Sequence, residues 1–283
     1  MLNRLQKLLF LLISCQLIFI SSEVTAGGKL IGSAGATQVE GSGGGGLVPW
    51  ATLSGYATRD EMSASAFFSA VSVDDFRMSS YGAAYTYYDR IEVSFTHHDF
   101  NSDDKTTALA QNIVGFKVRL FGDLIFTSWP QVAFGAQYKH ANNTNAIRAL
   151  GAKDDHGVDY YLAATKAWLD GPFHRNFVLN TTLRYSKANQ LGLQGFGGDK
   201  QNGYRGLIEA SAGIFITRYW MVGAEYRQKS DQLSAVKEDD WKDVFVSFFP
   251  NKKAALSFAF VDLGRIGGKG TQKGAYLSLQ LTY

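Results

Sequence analysis

Two histidine–carboxylate groupings are the residues of this chain best equipped for chemistry: His97-His98-Asp99 and Asp154-Asp155-His156. With a serine, such a pair forms the core of a membrane-embedded lipase or acyltransferase. No nucleophile elbow or other serine signature accompanies either grouping. Adjacent residues of a strand also point to opposite faces, so His97 and His98 cannot serve one site. No catalytic residue is assigned. Asp103-Asp104, Asp154-Asp155 and Glu238-Asp239-Asp240 could offer oxygen ligands, or bridge divalent ions among lipopolysaccharide phosphates, but none has the spacing of a calcium loop. Solvated loops are the expectation, with no metal site. Gly195-Phe-Gly-Gly-Asp199 does not join a strand to a helix, so a phosphate cradle fails and no cofactor is expected.

A second set of polar residues is more regular. Glu92, Lys117, Arg119, Lys139, Arg184, Glu209, Glu225 and Arg227 each fall on the polar face of an alternating segment. A Lys or Arg on a lipid-facing surface near mid-membrane would cost roughly 2–4 kcal/mol, so these side chains are expected to point inward. They could line a water-filled pore whose field selects solutes, or pair with one another as a polar core. Five basic against three acidic residues suggests mild anion preference at most.

The elements positioning them are strands. Alternation recurs in segments of about ten residues, the length a tilted strand needs to cross a bilayer. Strands are expected near 29–40, 47–58, 62–73, 79–88, 90–100, 112–122, 130–140, 157–168, 176–187, 204–216, 219–228, 241–249, 253–262 and 273–283. Segment 29–40 is Gly-rich and the weakest. Short links at 58–61, 89–90, 217–218 and 250–252 alternate with longer loops at 100–111, 141–156, 187–203, 228–240 and 263–272. Outer-membrane barrels place short turns on the periplasmic side and long loops outside. The parity of that alternation favours about 14 strands, with 12 as the alternative. The fold expected is all-β: a single transmembrane antiparallel up-and-down barrel. The tract Gly41-Ser-Gly-Gly-Gly-Gly46 reads as an outer loop or mobile lip, and could also fold inward.

Both ends of the chain agree. Arg4 and Lys7 precede an apolar run from Leu8 to Ile20, and Val24-Thr25-Ala26 supplies small residues for signal-peptidase cleavage between Ala26 and Gly27. A lipoprotein box at Leu12-Ile13-Ser14-Cys15 is the alternative. Removal of residues 1–26 leaves a mature chain of 27–283 without cysteine, hence without disulfide or thiolate metal site. At the other end, Ala275, Leu277, Leu279, Leu281 and Tyr283 alternate with Tyr276, Ser278, Gln280 and Thr282. An aromatic-ended closing strand of this kind is similar to the signal read by the barrel-assembly machinery. Trp129, Trp168, Trp220 and Tyr283 fall at predicted periplasmic strand ends, with Trp50 and Trp241 near the outer ends. Together they suggest two interfacial girdles against outer-membrane lipid and lipopolysaccharide.

Composition narrows the classes. A mean hydropathy of −0.11 hides no helical span, and a formal charge of +3 without a basic cluster gives no reason to expect nucleic-acid binding.

Several short segments resemble a proteobacterial family known only as a domain of unknown function. They are Gly27-Gly-Lys-Leu30, Gly44-Gly-Gly-Leu-Val-Pro-Trp-Ala51, Gly151-Ala-Lys-Asp-Asp155, Lys187-Ala-Asn-Gln190, Gly195-Phe-Gly-Gly-Asp199, Val222-Gly-Ala-Glu-Tyr-Arg227 and Val261-Asp-Leu-Gly264. The resemblance covers essentially the whole mature chain. It implies an outer-membrane barrel in Gram-negative bacteria and brings no ligand or catalytic residue. The residues themselves suggest a porin-like passive channel or uptake protein for an unidentified small solute, with loops 141–156 and 187–203 placed to constrict it. A structural or adhesive barrel with a filled lumen is the alternative, and an outer-membrane lipid-modifying enzyme the second.

Overall fold

A computed structural model describes residues 28–283. The expected signal peptide and its Ala26–Gly27 cleavage site lie outside the described residues. A closed antiparallel barrel of twelve strands is formed by β3 (Met62–Val73), β4 (Phe76–Tyr87), β5 (Ile91–Ser102), β6 (Ala108–Phe121), β7 (Gln131–Ala141), β8 (His156–Trp168), β9 (Phe177–Ser186), β10 (Arg205–Phe215), β11 (Trp220–Arg227), β12 (Trp241–Asn251), β13 (Ala254–Arg265) and β14 (Thr271–Thr282). Each strand pairs with its sequence neighbours. The final strand β14 closes on β3, from Gly274 opposite Val73 to Thr282 opposite Ser65. Closure leaves no open edge, so the ladder groups find partners within the sheet except at the irregularities near 120, 249–250 and 263–264.

The count is the alternative of twelve rather than about fourteen. The expected strands near 29–40 and 47–58 do not join the wall. Residues 33–57 instead run into the barrel interior and turn back, carrying only a two-residue ladder between β1 (Ala36–Thr37) and β2 (Gly43–Gly44). The reason is physical. A wall strand needs one apolar and one polar face, whereas Gln38, Val39, Glu40, Leu47, Val48 and Trp50 are all buried together. The chain reverses at Gly41, whose φ of +92° suits glycine.

The two faces of the wall differ sharply. In β3, Ser63, Ser65, Phe67, Ser69 and Val71 point inward, while Ala66, Phe68 and Ala70 point outward. Large apolar side chains such as Phe68, Phe95, Leu183, Phe258 and Leu277 are half exposed around the outside. Links between strands at one end are 88–90, 122–130, 169–176, 216–219 and 252–253, and both ends of the interior segment lie there. Three of the six links at the other end are longer, at 142–155, 187–204 and 228–240, and one of them carries a short helix α1 (Thr144–Ala149).

Trp129, Trp168, Trp220 and Tyr283 are exposed near the short-turn end. Trp50 and Trp241 are not at any outer rim. Both are buried, at 1% and 4% exposure, inside the barrel. Trp50 belongs to the interior segment, and Trp241 follows the inward parity of Asp243 on β12. The exposed aromatics near the long-loop end are instead Tyr138, Tyr160, Tyr185 and Tyr226. Tyr185 stacks on Tyr204 at 4.8 Å.

Candidate functional site: a filled lumen

All eight charged residues placed on the inner face by parity have buried side chains, and the interior segment is what buries them. At its tip, Glu40 meets three cations of the wall. Arg227 lies 2.7 Å away, Arg184 lies 3.6 Å away, and Lys139 bonds it directly. Lys139 also holds Asp159 at 2.6 Å, while Glu209 takes Arg184 at 2.5 Å and Arg227 at 3.2 Å. Three carboxylates and three cations therefore balance in a space without water access. Burial pushes the Glu40 carboxyl up, but Arg227, Lys139 and Arg184 together outweigh it and hold it well below the usual carboxylate range.

Further down the segment, wall side chains stand in for ladder partners. Glu92 accepts the Ser54 amide at 2.6 Å and the Gly43 amide at 3.2 Å. Lys117 donates to the carbonyls of Gly43 and Thr52, both at 2.8 Å, and lies 3.4 Å from Glu92. Glu225 accepts the Leu47 amide at 2.6 Å, and Arg227 donates to the Leu47 carbonyl at 3.0 Å. Thr165 accepts the Ala51 amide at 2.7 Å, Gln131 donates to the Ala51 carbonyl at 2.8 Å, and Thr182 donates to the Pro49 carbonyl at 2.7 Å. Irregular backbone in an enclosed space requires such partners, since each unmet amide or carbonyl costs about 1–3 kcal/mol. The Trp50 indole donates to Ser211 at 3.1 Å. Segment 33–57 is therefore a plug, fixed to the wall on all sides.

At the short-turn end, just ahead of the plug, Lys29 lies 2.7 Å from Asp89. Asp89 also pairs with Arg119, which reaches Asp123 at 3.2 Å. A cavity of about 330 Å³ opens there between plug and wall, bordered by Lys29, Arg59, Arg119, Asp123 and Phe126.

Three long loops close the opposite end. Residues 188–198 fold inward and are buried; Phe196 bridges to Asp154 and to Ala188. Ile147 of α1, Ala152, Leu233 and Val236 pack together above the lumen. Arg265 donates to Asp239 through Nε and Nη2, both at 2.6 Å, and those hydrogen bonds lower the Asp239 carboxyl to about 2. Loops 141–156 and 187–203 thus form a lid together with 228–240.

The histidine groupings are separated by the structure. His98 is buried. Its Nε2–H donates to the Val39 carbonyl of the plug at 2.8 Å, and its Nδ1 accepts from Gln111 at 2.9 Å, an arrangement that assigns the tautomer. His97 faces away and contacts Asn112 at 2.7 Å, while His156 sits on the surface 2.8 Å from Asp155. Among the described residues, no three His, Cys, Asp or Glu side chains converge as a metal site.

Glu40, Asp159 and Asp243 were not anticipated as interior charges. Strand parity finds Asp159 and Asp243, since they alternate with Val158, Tyr160 and Val244. Glu40 carries no such signal, because its segment has no period.

A family described as "Protein of unknown function (DUF3034)" matches residues 33–280. No curated protein sequence matches the chain. Among solved structures, the chain is similar to the outer membrane protein Omp33 of Acinetobacter baumannii, with 10% identity, TM-score 0.48, 80% of this chain and 100% of that one covered. It is also similar to the KdgM porin, with 11% identity, TM-score 0.46 and coverage of 77% and 99%. The COG4313 outer membrane channel from Pseudomonas putida F1 shows 12% identity, TM-score 0.42 and coverage of 78% and 94%.

Proposed function

The chain belongs to that family, and we propose that it is a Gram-negative outer-membrane barrel serving as a small-solute channel that its own plug holds closed. The observation that carries this reading is the chemistry of the plug–wall contact. Beside apolar packing at Val39, Leu47, Val48 and Trp50, the wall meets the plug with many ion pairs and hydrogen bonds, groups that water can also satisfy once the segment shifts. The half-exposed apolar band and the aromatics at both ends suit a bilayer, with the short turns in the periplasm. Leu277, Leu279, Leu281 and Tyr283 lie on the outer face of the closing strand, where lipid and the barrel-assembly machinery would meet them.

Conduction then requires the plug to leave the lumen or thin out at Glu40. The exposed wall would carry Lys117, Arg119, Lys139, Arg184 and Arg227 against Glu92, Asp159, Glu209, Glu225 and Asp243. Asp159 and Asp243 bring the inner face from five against three to five against five. Selection by size is favoured over selection by sign.

The test is conductance in planar bilayers. The wild type should be closed most of the time, and a variant with residues 33–57 replaced by a short flexible link should conduct steadily. A folded link variant that never conducts would overturn the channel reading. The completeness of the buried network favours one second reading, a structural or adhesive barrel working through its loops, which predicts that outcome.

A further inference from the structure

Charge pairing inside the barrel is complete except at one place. Glu40, Asp159 and Glu209 share Lys139, Arg184 and Arg227; Glu92 has Lys117 at 3.4 Å; Glu238 has Lys229 at 3.4 Å. Glu225 and Asp243 have no cationic side chain within 4.0 Å among the described residues. They sit directly opposite each other on β11 and β12, where facing side chains lie close together.

Their oxygens are also unmet. Both carboxylate oxygens of Asp243 and Oε1 of Glu225 lack a hydrogen-bond partner, although the residues are only 6% and 3% exposed. Asp243 lines an enclosed cavity of about 10 Å³ between the plug and β11–β14, bordered by Gly45, Ser247, Ser257 and Tyr276. That volume holds one water-sized species. The glycine tract is required for this approach. A Cβ on Gly45 would lie 1.9 Å from Glu225 Oε1. Two facing carboxylates shielded from bulk solvent are costly to keep ionised together unless something positive lies between them.

We propose that Asp243 and Glu225 of the wall bind one divalent cation of the calcium type, seated against the glycine tract of the plug. Asp243 brings two unpartnered carboxylate oxygens to the cavity, Glu225 opposite it offers a third, and the hydroxyls of Ser247, Ser257 and Tyr276 border the same space, donors of the kind a hard cation takes. Magnesium keeps several of its waters and demands octahedral geometry, for which the cavity has no room; calcium accepts an irregular, dehydrated shell. A divalent charge also balances the two carboxylates.

The protein should be refolded in detergent with millimolar calcium, freed of unbound ion by gel filtration, and its retained calcium counted. Near-stoichiometric calcium is expected in the wild type, with at least tenfold less in Asp243→Asn and in Glu225→Gln, both still migrating as folded barrels. Calcium should raise the unfolding temperature of the wild type and leave both variants unmoved. Absence of retained calcium, together with an Asp243→Asn variant as stable as the wild type, would mean that the two carboxyls share a proton and would overturn the proposal. Equal retention of magnesium would overturn the calcium assignment. None of these readouts depends on conduction, so the site and the channel reading fail separately.

Discussion

Arg227 of the wall lies 2.7 Å from Glu40 of the plug while its Nη1 holds the carbonyl of Leu47 at 3.0 Å, so one guanidinium grips both arms of the interior hairpin. The same side chain pairs with Glu209 at 3.2 Å. Glu40 is the only carboxylate in this network that the plug itself contributes. Removing it leaves three buried cations facing two carboxylates.

Glu40→Ala should therefore destabilise the folded barrel by about 3–5 kcal/mol, the usual result of orphaning one side of a buried ion network. Heat-modifiability on gels measures the loss. The same variant should raise the fraction of time the channel conducts, and a variant as stable and as closed as the wild type would sink the linchpin role.

The pH response has a fixed sign. The Glu40 carboxyl is held well below its unfolded value, so its contribution is fully present above the ordinary carboxylate pKa. That contribution is lost only as pH falls through the depressed value. The plug should stay docked on mild acidification and loosen clearly below about pH 4. Conductance recorded across a pH series checks this, and opening that tracks an ordinary carboxylate would contradict it.

The five tryptophans should divide into two groups. Brominated lipid should quench Trp129, Trp168 and Trp220 and leave Trp50 and Trp241 untouched, since the latter two are buried in the lumen. Single-tryptophan variants read by steady-state fluorescence provide the comparison. Strong quenching of Trp50 would mean that segment 47–58 lies in the wall.

Trp50→Ala removes a buried indole and its bond to Ser211, a change that typically costs about 3–5 kcal/mol in a packed interior. The loss should fall on plug docking rather than on barrel closure. Protease access to residues 33–57 should rise while the barrel still migrates as folded. Full protection of the segment would contradict this.

Leu277→Arg should cost roughly 2–4 kcal/mol if the middle of β14 faces lipid. Refolding yield into thin and thick bilayers measures it, and an unchanged yield would contradict a membrane-spanning strand.

The wall was legible because each strand has two different surroundings. Phe177 to Ser186 alternates without exception, and the inward set Val178, Asn180, Thr182, Arg184 and Ser186 follows from counting by two. The plug was not legible for the converse reason. Val39 and Glu40 are neighbours in sequence and both fully buried, because a segment surrounded by wall has no outside. Trp50 lies in such a segment, so the assumption that tryptophan marks an interface misplaced it. For Trp241 the two signals conflict: parity sets it beside Asp243 on the inner face, whereas its nearness to a strand end points to an interface. The unbalanced pair Glu225–Asp243 needed the ladder register, which fixes which inward residues face each other.

The plug leaves the lumen at Ala57, and β3 begins at Met62, so only residues 58–61 connect them. A tether that short sets an effective concentration of at least the millimolar range for re-docking, whatever the protein concentration in the membrane. Opening of the proposed channel would thus be a unimolecular, self-resetting event. On that reading neither dilution nor loss of a partner would leave the lumen permanently open, and a free peptide copying residues 33–57 would have to exceed that local concentration to compete.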